Sequence, residues 1–327
     1  HDTKIEWSDH TFNTHWGCTK VSEGCTHCYA ESFSKRVGFK IWGQDAERRF
    51  FGDKHWAEPL KWNTTAAKLG VMHRVFCGSM CDIFEDRMDL DEHRSRVFRM
   101  VPETPNLLWL FLTKRPLKAV QMLPREWQGN GNWPRNVMVG VTIENQPRLD
   151  ERMPIIKLLH EQYPGVQVFA SCEPLLSAFD WERGGTYGSW LYYLDWVVAG
   201  GESGHGARPC HPDWARKLRD DCANRDDMCR PWPLPFLWKQ WGDFQHGSSL
   251  GQHPKADYIV LNDGRMLRSS NDADLETRNC WDSFNAEMMS RVGKHAAGRL
   301  LDRREWNGIP RLTYGPQIQM QEDLSDA

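Results

Sequence analysis

Leu107-Leu108-Trp109-Leu110-Phe111-Leu112-Thr113-Lys114-Arg115-Pro116 is the stretch that decides the fold. Six apolar residues run without interruption, and a polar triplet and a proline come after them. A strand with one wet face would alternate. An unbroken short run fits a strand covered on both faces, as in a parallel sheet. Five more such runs lie at 74–79, 137–141, 166–170, 196–199 and 236–238. Amphipathic stretches at 90–100, 148–160 and 212–223 read as helices, with Asp213 as a start signal. Strands alternating with helices give a parallel sheet with right-handed crossovers. The expectation is an α/β chain built as a partial or closed (β/α) barrel of parallel strands with a peripheral C-terminal extension. A doubly wound open sheet is the other solution.

The polar residues at the end of each run point to function. The clusters are Ser79-Met80-Cys81-Asp82, Thr113-Lys114-Arg115, Thr142-Ile143-Glu144-Asn145, Ser171-Cys172-Glu173, Gly200-Gly201-Glu202-Ser203 and Lys239-Gln240. In parallel sheets the carboxyl ends of the strands form one rim, and that rim holds the active site. A polar loop after one strand is ordinary; six facing one mouth predict a site.

The chain has 327 residues, 40% hydrophobic and 26% charged, enough to bury a large core. No run approaches the roughly 20 apolar residues of a membrane helix, and no membrane partner is expected. His1-Asp2-Thr3-Lys4 carries no export signal, so the expected location is cytoplasmic. Ten cysteines in that setting read as thiols or metal ligands. The net charge of −3 excludes a uniformly basic coat but permits a local basic groove. Basic residues gather at Lys35, Arg36, Lys40, Arg48, Arg49 and Lys54, and again across 291–304; either group alone reads as a solvated helix face. Residues 1–242 are expected to form the barrel, with 29–73 inserted over its mouth. Residues 243–327 form the extension, with a hairpin over 257–268, a basic helix over 291–304 and a frayed tail from about Gln317.

The sharpest local signal is Asn13-Thr14-His15-Trp16-Gly17-Cys18, then Gly24-Cys25-Thr26-His27-Cys28-Tyr29-Ala30-Glu31. The spacing is Cys-x6-Cys-x2-Cys. Three thiolates hold three corners of an iron–sulfur cubane and leave the fourth iron open to a ligand. Zinc is the rival, with His15 or His27 as a fourth ligand and Cys77, Cys81 or Cys172 as further candidates. Three unligated thiols are the plain alternative. Cys222 and Cys229 lack a third partner nearby and read as ordinary thiols, and Cys210 and Cys280 carry no assigned role.

That loop resembles the three-cysteine loop of the radical S-adenosylmethionine superfamily, in particular the branch of spore photoproduct lyase-like proteins. Ser79-Met80-Cys81-Asp82-Ile83-Phe84, Leu112-Thr113-Lys114-Arg115-Pro116, Ser171-Cys172-Glu173-Pro174-Leu175-Leu176, Gly200-Gly201-Glu202-Ser203-Gly204, Lys239-Gln240-Trp241-Gly242 and the stretch from Val292 to Asp302 are similar to a phage- and prophage-associated three-cysteine family. The first gap departs from the superfamily's usual three residues, and His27 stands where an aromatic ring usually precedes the third cysteine.

The resemblance implies a [4Fe–4S] cluster on Cys18, Cys25 and Cys28 and S-adenosylmethionine as cofactor, cleaved to a 5′-deoxyadenosyl radical. It implies a flavodoxin- or ferredoxin-like reductant as partner. Gly200, Gly201 and Glu202 resemble the element that receives the methionine amino group. His27, Tyr29, Ser79, Thr142, Ser171 and Glu173 are the other cofactor-binding candidates. Glu173 could instead pair with Lys114 or Arg115. Asp82, Lys114, Arg115, Glu144, Lys239 and Trp241 are candidate substrate contacts. Cations and an aromatic ring on one rim, with the basic stretch near Arg299, suit a phosphodiester, so the expected substrate is nucleic acid. The resemblance to phage-associated and photoproduct-lyase-like proteins implies DNA, with base repair or modification as the reaction. A radical enzyme acting on a small molecule or peptide, and a zinc-bearing nucleic-acid-binding module without catalysis, are the alternatives.

Overall fold

The structure is a computed structural model and describes residues 3, 5–185, 188–225, 233–247, 256–268 and 285–310. Strand β1 (His10–Phe12) leads through β2 (His15–Trp16), helix α1 (Tyr29–Arg36), β3 (Arg49–Phe50), α2 (Asp53–Trp56) and α3 (Glu58–Leu69) to β4 (His73–Cys77). From there strands and helices alternate: α4 (Asp91–Glu103), β5 (Leu107–Thr113), α5 (Pro116–Met122), β6 (Val137–Thr142), α6 (Gln146–Gln162), β7 (Gln167–Cys172), β8 (Trp196–Gly200), α7 (Pro212–Ala223) and β9 (Phe236–Gln240).

Seven strands form one parallel sheet in the order β1-β4-β5-β6-β7-β8-β9, curled into a half-barrel. The order never reverses, so this is a partial barrel and not a doubly wound sheet. All six apolar runs are strands. The seventh, β1, is the three residues His-Thr-Phe, too short and polar to stand out. The 29–73 segment is more regular than its composition implied, since it holds α1, α2 and α3.

Successive side chains point to opposite faces of the sheet. Val75, Trp109, Phe111, Val139, Val168 and Val197 face outward into the core beneath the helices. Phe76, Leu108, Leu110, Met138, Phe169, Trp196 and Val198 line the concave face. Trp7 plugs that face, its ring 4.5 Å from Phe76, 5.8 Å from Phe169 and 6.0 Å from Trp196. Gly140 also lies on it, where an added Cβ would come within 2.2 Å of the buried Phe169 ring. Gly140→Ala is therefore expected to cost about 1–3 kcal/mol through overpacking, read as a lower urea midpoint with an unchanged slope. A wild-type midpoint would show that the ring has room to move.

Beyond the half-barrel, β10 (Phe244–His246), β11 (Tyr258–Val260), β12 (Met266–Arg268) and β13 (Glu287–Arg291) form an antiparallel sheet in the order β10-β13-β11-β12. The β11–β12 hairpin matches expectation, with Gly264 at φ +96° in its turn. The basic helix over 291–304 does not form. β13 ends at Arg291, and Gly293 and Gly298, both at positive φ, confine helix to the single turn Lys294–Ala297. Residues 298–308 instead run beside β9, with Trp238 N–H donating to Trp306 O at 2.9 Å and Gly308 N–H to Phe236 O at 2.9 Å. The tail from Gln317, Cys229 and Cys280 lie outside the described residues. No described helix is long and apolar enough to cross a membrane.

Candidate functional site

The inner alternation carries on past the apolar floor. Leu112 leads to Lys114, Gly140 to Thr142, Phe169 to Ser171 and then Glu173, and Leu237 to Lys239, which puts these polar residues around the carboxyl end of the concave face. Lys114 Nζ donates to Thr142 Oγ1 at 3.4 Å. Lys239 Nζ donates to both Glu173 oxygens, at 2.7 and 2.9 Å. Glu173 thus pairs with Lys239 rather than with Lys114 or Arg115. The bridge passes Gly200 on β8, where an added Cβ would lie 3.5 Å from Lys239 Cβ and 3.6 Å from Glu173 Cδ. Gly201 serves another purpose. Its backbone presses on the chain after β9, where a Cβ would fall 2.1 Å from Trp241 O.

The cysteine loop comes directly after β1 and is tied down along its length. The Asn13 side chain accepts from Met80 N–H at 2.7 Å and donates to Ser79 Oγ at 2.9 Å. Gly17 turns at φ +114°, pressed against Ile41 O. Arg115, just after β5, donates to Thr19 O at 2.6 Å and to Cys18 Sγ at 3.7 Å. Ser22 donates to Glu144, just after β6. Glu23 accepts from Asn145 at 2.6 Å and from Arg148 at 3.0 Å. Against the cost of burial, these bonds hold its carboxyl down at about 2. Arg208 donates to Glu23 O at 3.0 Å and, through Nε and Nη2, to Glu202 at 2.8 and 2.6 Å. His27 Nδ1 lies 3.2 Å from Glu202 Oε2. Tyr29 Oη donates to Ser79 O at 2.6 Å. The loop therefore lies across the carboxyl ends of β4, β5, β6 and β8.

Below it lies a buried network. Arg48 donates to Glu85 Oε2 at 3.1 Å and Oε1 at 2.8 Å, with both side chains shut away from solvent. It also donates to the carbonyls of Ile41, Gly43 and Ala46 and to Thr19 Oγ1. Asp82 accepts from Thr113 Oγ1 at 2.9 Å and from Arg115 Nη1 at 2.9 Å. Glu144 forms a fully buried pair with Arg152 at 2.6 Å.

The candidates thus divide into two groups. Lys114, Thr142, Ser171, Glu173 and Lys239 line the inner rim. Asp82, Arg115, Glu144, Glu202, Ser79, His27 and Tyr29 belong to the fastenings of the cysteine loop. Trp241 belongs to neither. It is 2% exposed, and its Nε1 donates to Leu300 O at 2.8 Å, because the C-terminal segment covers it; no base can stack there. Arg48, Glu85, Arg152, Arg208, Asn13 and Glu23 complete the fastenings. None of them is marked for this role in the sequence: Asn13, Glu23, Arg48 and Glu85 find partners far along the chain, and the closer pairs Arg152–Glu144 and Arg208–Glu202 follow no recognised spacing.

The thiol environment suits a metal group. Cys18, Cys25 and Cys28 are all partly exposed on one loop. Burial pushes the Cys18 thiol up to about 12 even with Arg115 beside it, and raises that of Cys28. A bound metal would take the place of those protons, and the Arg115 cation offsets the thiolate charge. Among the described residues no three His, Cys, Asp or Glu side chains are gathered to hold a single ion. Three thiols on one loop match in kind and number the three corners of a cubane that leaves its fourth iron open. His15 bonds Thr14 Oγ1 through Nδ1 at 2.9 Å, and His27 lies 3.2 Å from Glu202 through Nδ1. Cys77, Cys172, Cys210 and Cys222 are buried, their thiols raised by burial, and Cys81 Sγ lies 3.8 Å from Asn13 Oδ1.

Comparison with known proteins gives three results. Ribosomal RNA large subunit methyltransferase M of Photorhabdus sp. (strain Az29) is 24% identical over 135 residues, 40% of this chain and 36% of the relative, so the match spans about a third of that protein's length. Among solved structures, a mutant of spore photoproduct lyase matches with a TM-score of 0.40 at 14% identity, over 87% of this chain and 77% of the other. A double mutant of that lyase, with bound AdoMet and dinucleoside spore photoproduct, gives a TM-score of 0.41 at 13% identity, over 86% and 76%. Residues 2–310 match the profile of the family described as "Protein of unknown function (DUF5131)", and the chain belongs to that family.

Proposed function

We propose that the chain is a radical S-adenosylmethionine enzyme acting on nucleic acid, with Cys18, Cys25 and Cys28 holding a [4Fe–4S] cluster. The observation that carries this reading is the fastening of the cysteine loop across the carboxyl ends of four parallel strands, beside the polar inner rim. Thiols and rim then share one mouth. When bound, the reduced cluster supplies the electron that cleaves the sulfonium of S-adenosylmethionine. The chain's own residues bind and shield. Lys114, Thr142 and Ser171 offer donors for the carboxylate and ribose hydroxyls of the cofactor. Glu173, shared with Lys239, offers an acceptor for its amino group. The apolar floor of Leu110, Met138, Phe169 and Trp7 keeps water from below. A flavodoxin- or ferredoxin-like protein is the proposed reductant.

Anaerobic reconstitution is the test. The protein should take up about four irons and four sulfides per chain. With dithionite and S-adenosylmethionine it should release 5′-deoxyadenosine. A folded chain that binds zinc stoichiometrically and takes up no sulfide overturns the reading.

A further inference from the structure

Tyr29, Phe33 and Val37 stand one helical turn apart along one face of α1, and all are open to solvent, at 53, 36 and 44% exposure. Beside them lies a second group of rings. Trp16 of β2 packs edge-on to Phe33 at 5.9 Å, to Phe39 at 6.2 Å and to Phe51 at 5.8 Å. Arg49, the cross-strand partner of Trp16, sets its guanidinium over Trp16 at 4.6 Å and Phe39 at 4.3 Å. Arg36 sits over Phe33 at 5.3 Å.

Elsewhere most arginines are taken up by carboxylates, as with Arg74, Arg87, Arg94, Arg115, Arg148 and Arg208. On this face the pattern breaks. Among the described residues, no carboxylate pairs with Arg36, Lys40 or Arg49. Glu31, the acid on α1, is neutralised by Lys20 at 2.7 Å and Lys35 at 2.6 Å. Rings edged by unpaired cations are what a single strand of nucleic acid needs: bases of any sequence stack on the rings, and phosphates meet the cations. The face also adjoins the candidate site, because Trp16 stands two residues before Cys18 and Tyr29 comes directly after Cys28.

We propose that this face of α1 and the β2–β3 ribbon is where a single strand of nucleic acid docks, with bases on Phe33 and its neighbouring rings and phosphates on Arg36, Lys40 and Arg49. This deepens the proposed function, since it rests on nucleic acid being the substrate of the adjoining site. It also moves the phosphate contacts away from Arg115 and Lys239, which hold Asp82 and Glu173.

The test titrates a fluorescein-labelled thymidine oligonucleotide with the full chain at several salt concentrations, with iron measured on the same samples. Phe33→Ala should weaken binding about tenfold at every salt concentration, as loss of one stacked base does. Arg36→Glu with Lys40→Glu should reduce the slope of log affinity against log salt by about 1.4, two phosphate contacts on a single strand. Lys68→Glu, an exposed charge change on α3, should alter neither. Wild-type protein that does not bind at low salt, or binding that none of these variants weakens, overturns the proposal. So does a concentration-dependent dimer that Phe33→Ala breaks with no oligonucleotide bound, which assigns the face to a second copy. The two readings fail separately. An iron-loaded chain without oligonucleotide binding removes the docking surface and the nucleic-acid substrate, and leaves the cluster standing. A chain that refuses iron and sulfide yet binds in this variant-dependent way removes the cluster alone.

Discussion

Changing Cys18, Cys25 or Cys28 to Ala, one at a time, is expected to lower the iron of the reconstituted protein to less than about a tenth of wild type, while Cys81→Ala leaves it unchanged. Each of the three corners held by the protein needs its own thiolate. The contrast with Cys81 matters because it too lies near the loop, 3.8 Å from Asn13 Oδ1. Folding should survive the three substitutions. The thiols are partly exposed, and the loop keeps its ties through Arg115, Glu144 and Glu202. The measurement is iron and sulfide per chain, with thermal unfolding as the control. A triple variant that keeps its full iron content would sink the assignment.

The second large effect is on stability. Arg48→Met is expected to cost about 3–5 kcal/mol, because it strands the buried Glu85 carboxylate. Arg115, 3.9 Å from Glu85, is committed to Asp82 and cannot compensate fully. Removing both charges tests the cause. Arg48→Met combined with Glu85→Leu should recover much of the loss, since two apolar side chains leave no stranded charge. Urea unfolding of the two single variants and the double gives the coupling directly. A single-variant loss under about 1 kcal/mol, typical of an exposed pair, would show that water reaches Glu85.

The sheet was largely legible because its strands are buried on both faces, and such strands announce themselves as unbroken apolar runs. The exception, β1, is covered by His55 stacked on Phe12 and by Trp56 and Trp62 edge-on to it, so its own three residues need little apolar character. The polar clusters were legible as positions but not as partners. Asp82 with Arg115 is set by the neighbouring ends of β4 and β5, and Glu173 with Lys239 by a bridge past β8, and no sequence interval encodes either. Trp241 was misread for a related reason. Its exposure depends on a C-terminal segment more than fifty residues away that lies over it. The basic stretch near the end failed as a helix because Gly293 and Gly298 weigh more in the backbone than the charges between them.

The ties on the cysteine loop also set an order of events during synthesis. The thiols leave the ribosome ahead of most of the sheet, and several of the groups that hold them in place arrive piecemeal after them, at Arg115, Glu144, Glu202 and finally Arg208. Until those groups arrive, the three cysteines are held by the earlier ties to Ser79 and Met80 and by Arg48 on Thr19. A zinc finger differs, since its metal can gather neighbouring ligands and fold them at once. Here much of the sheet must be in place before the loop has its full seat, so a metal group held by these thiols would be loaded after folding.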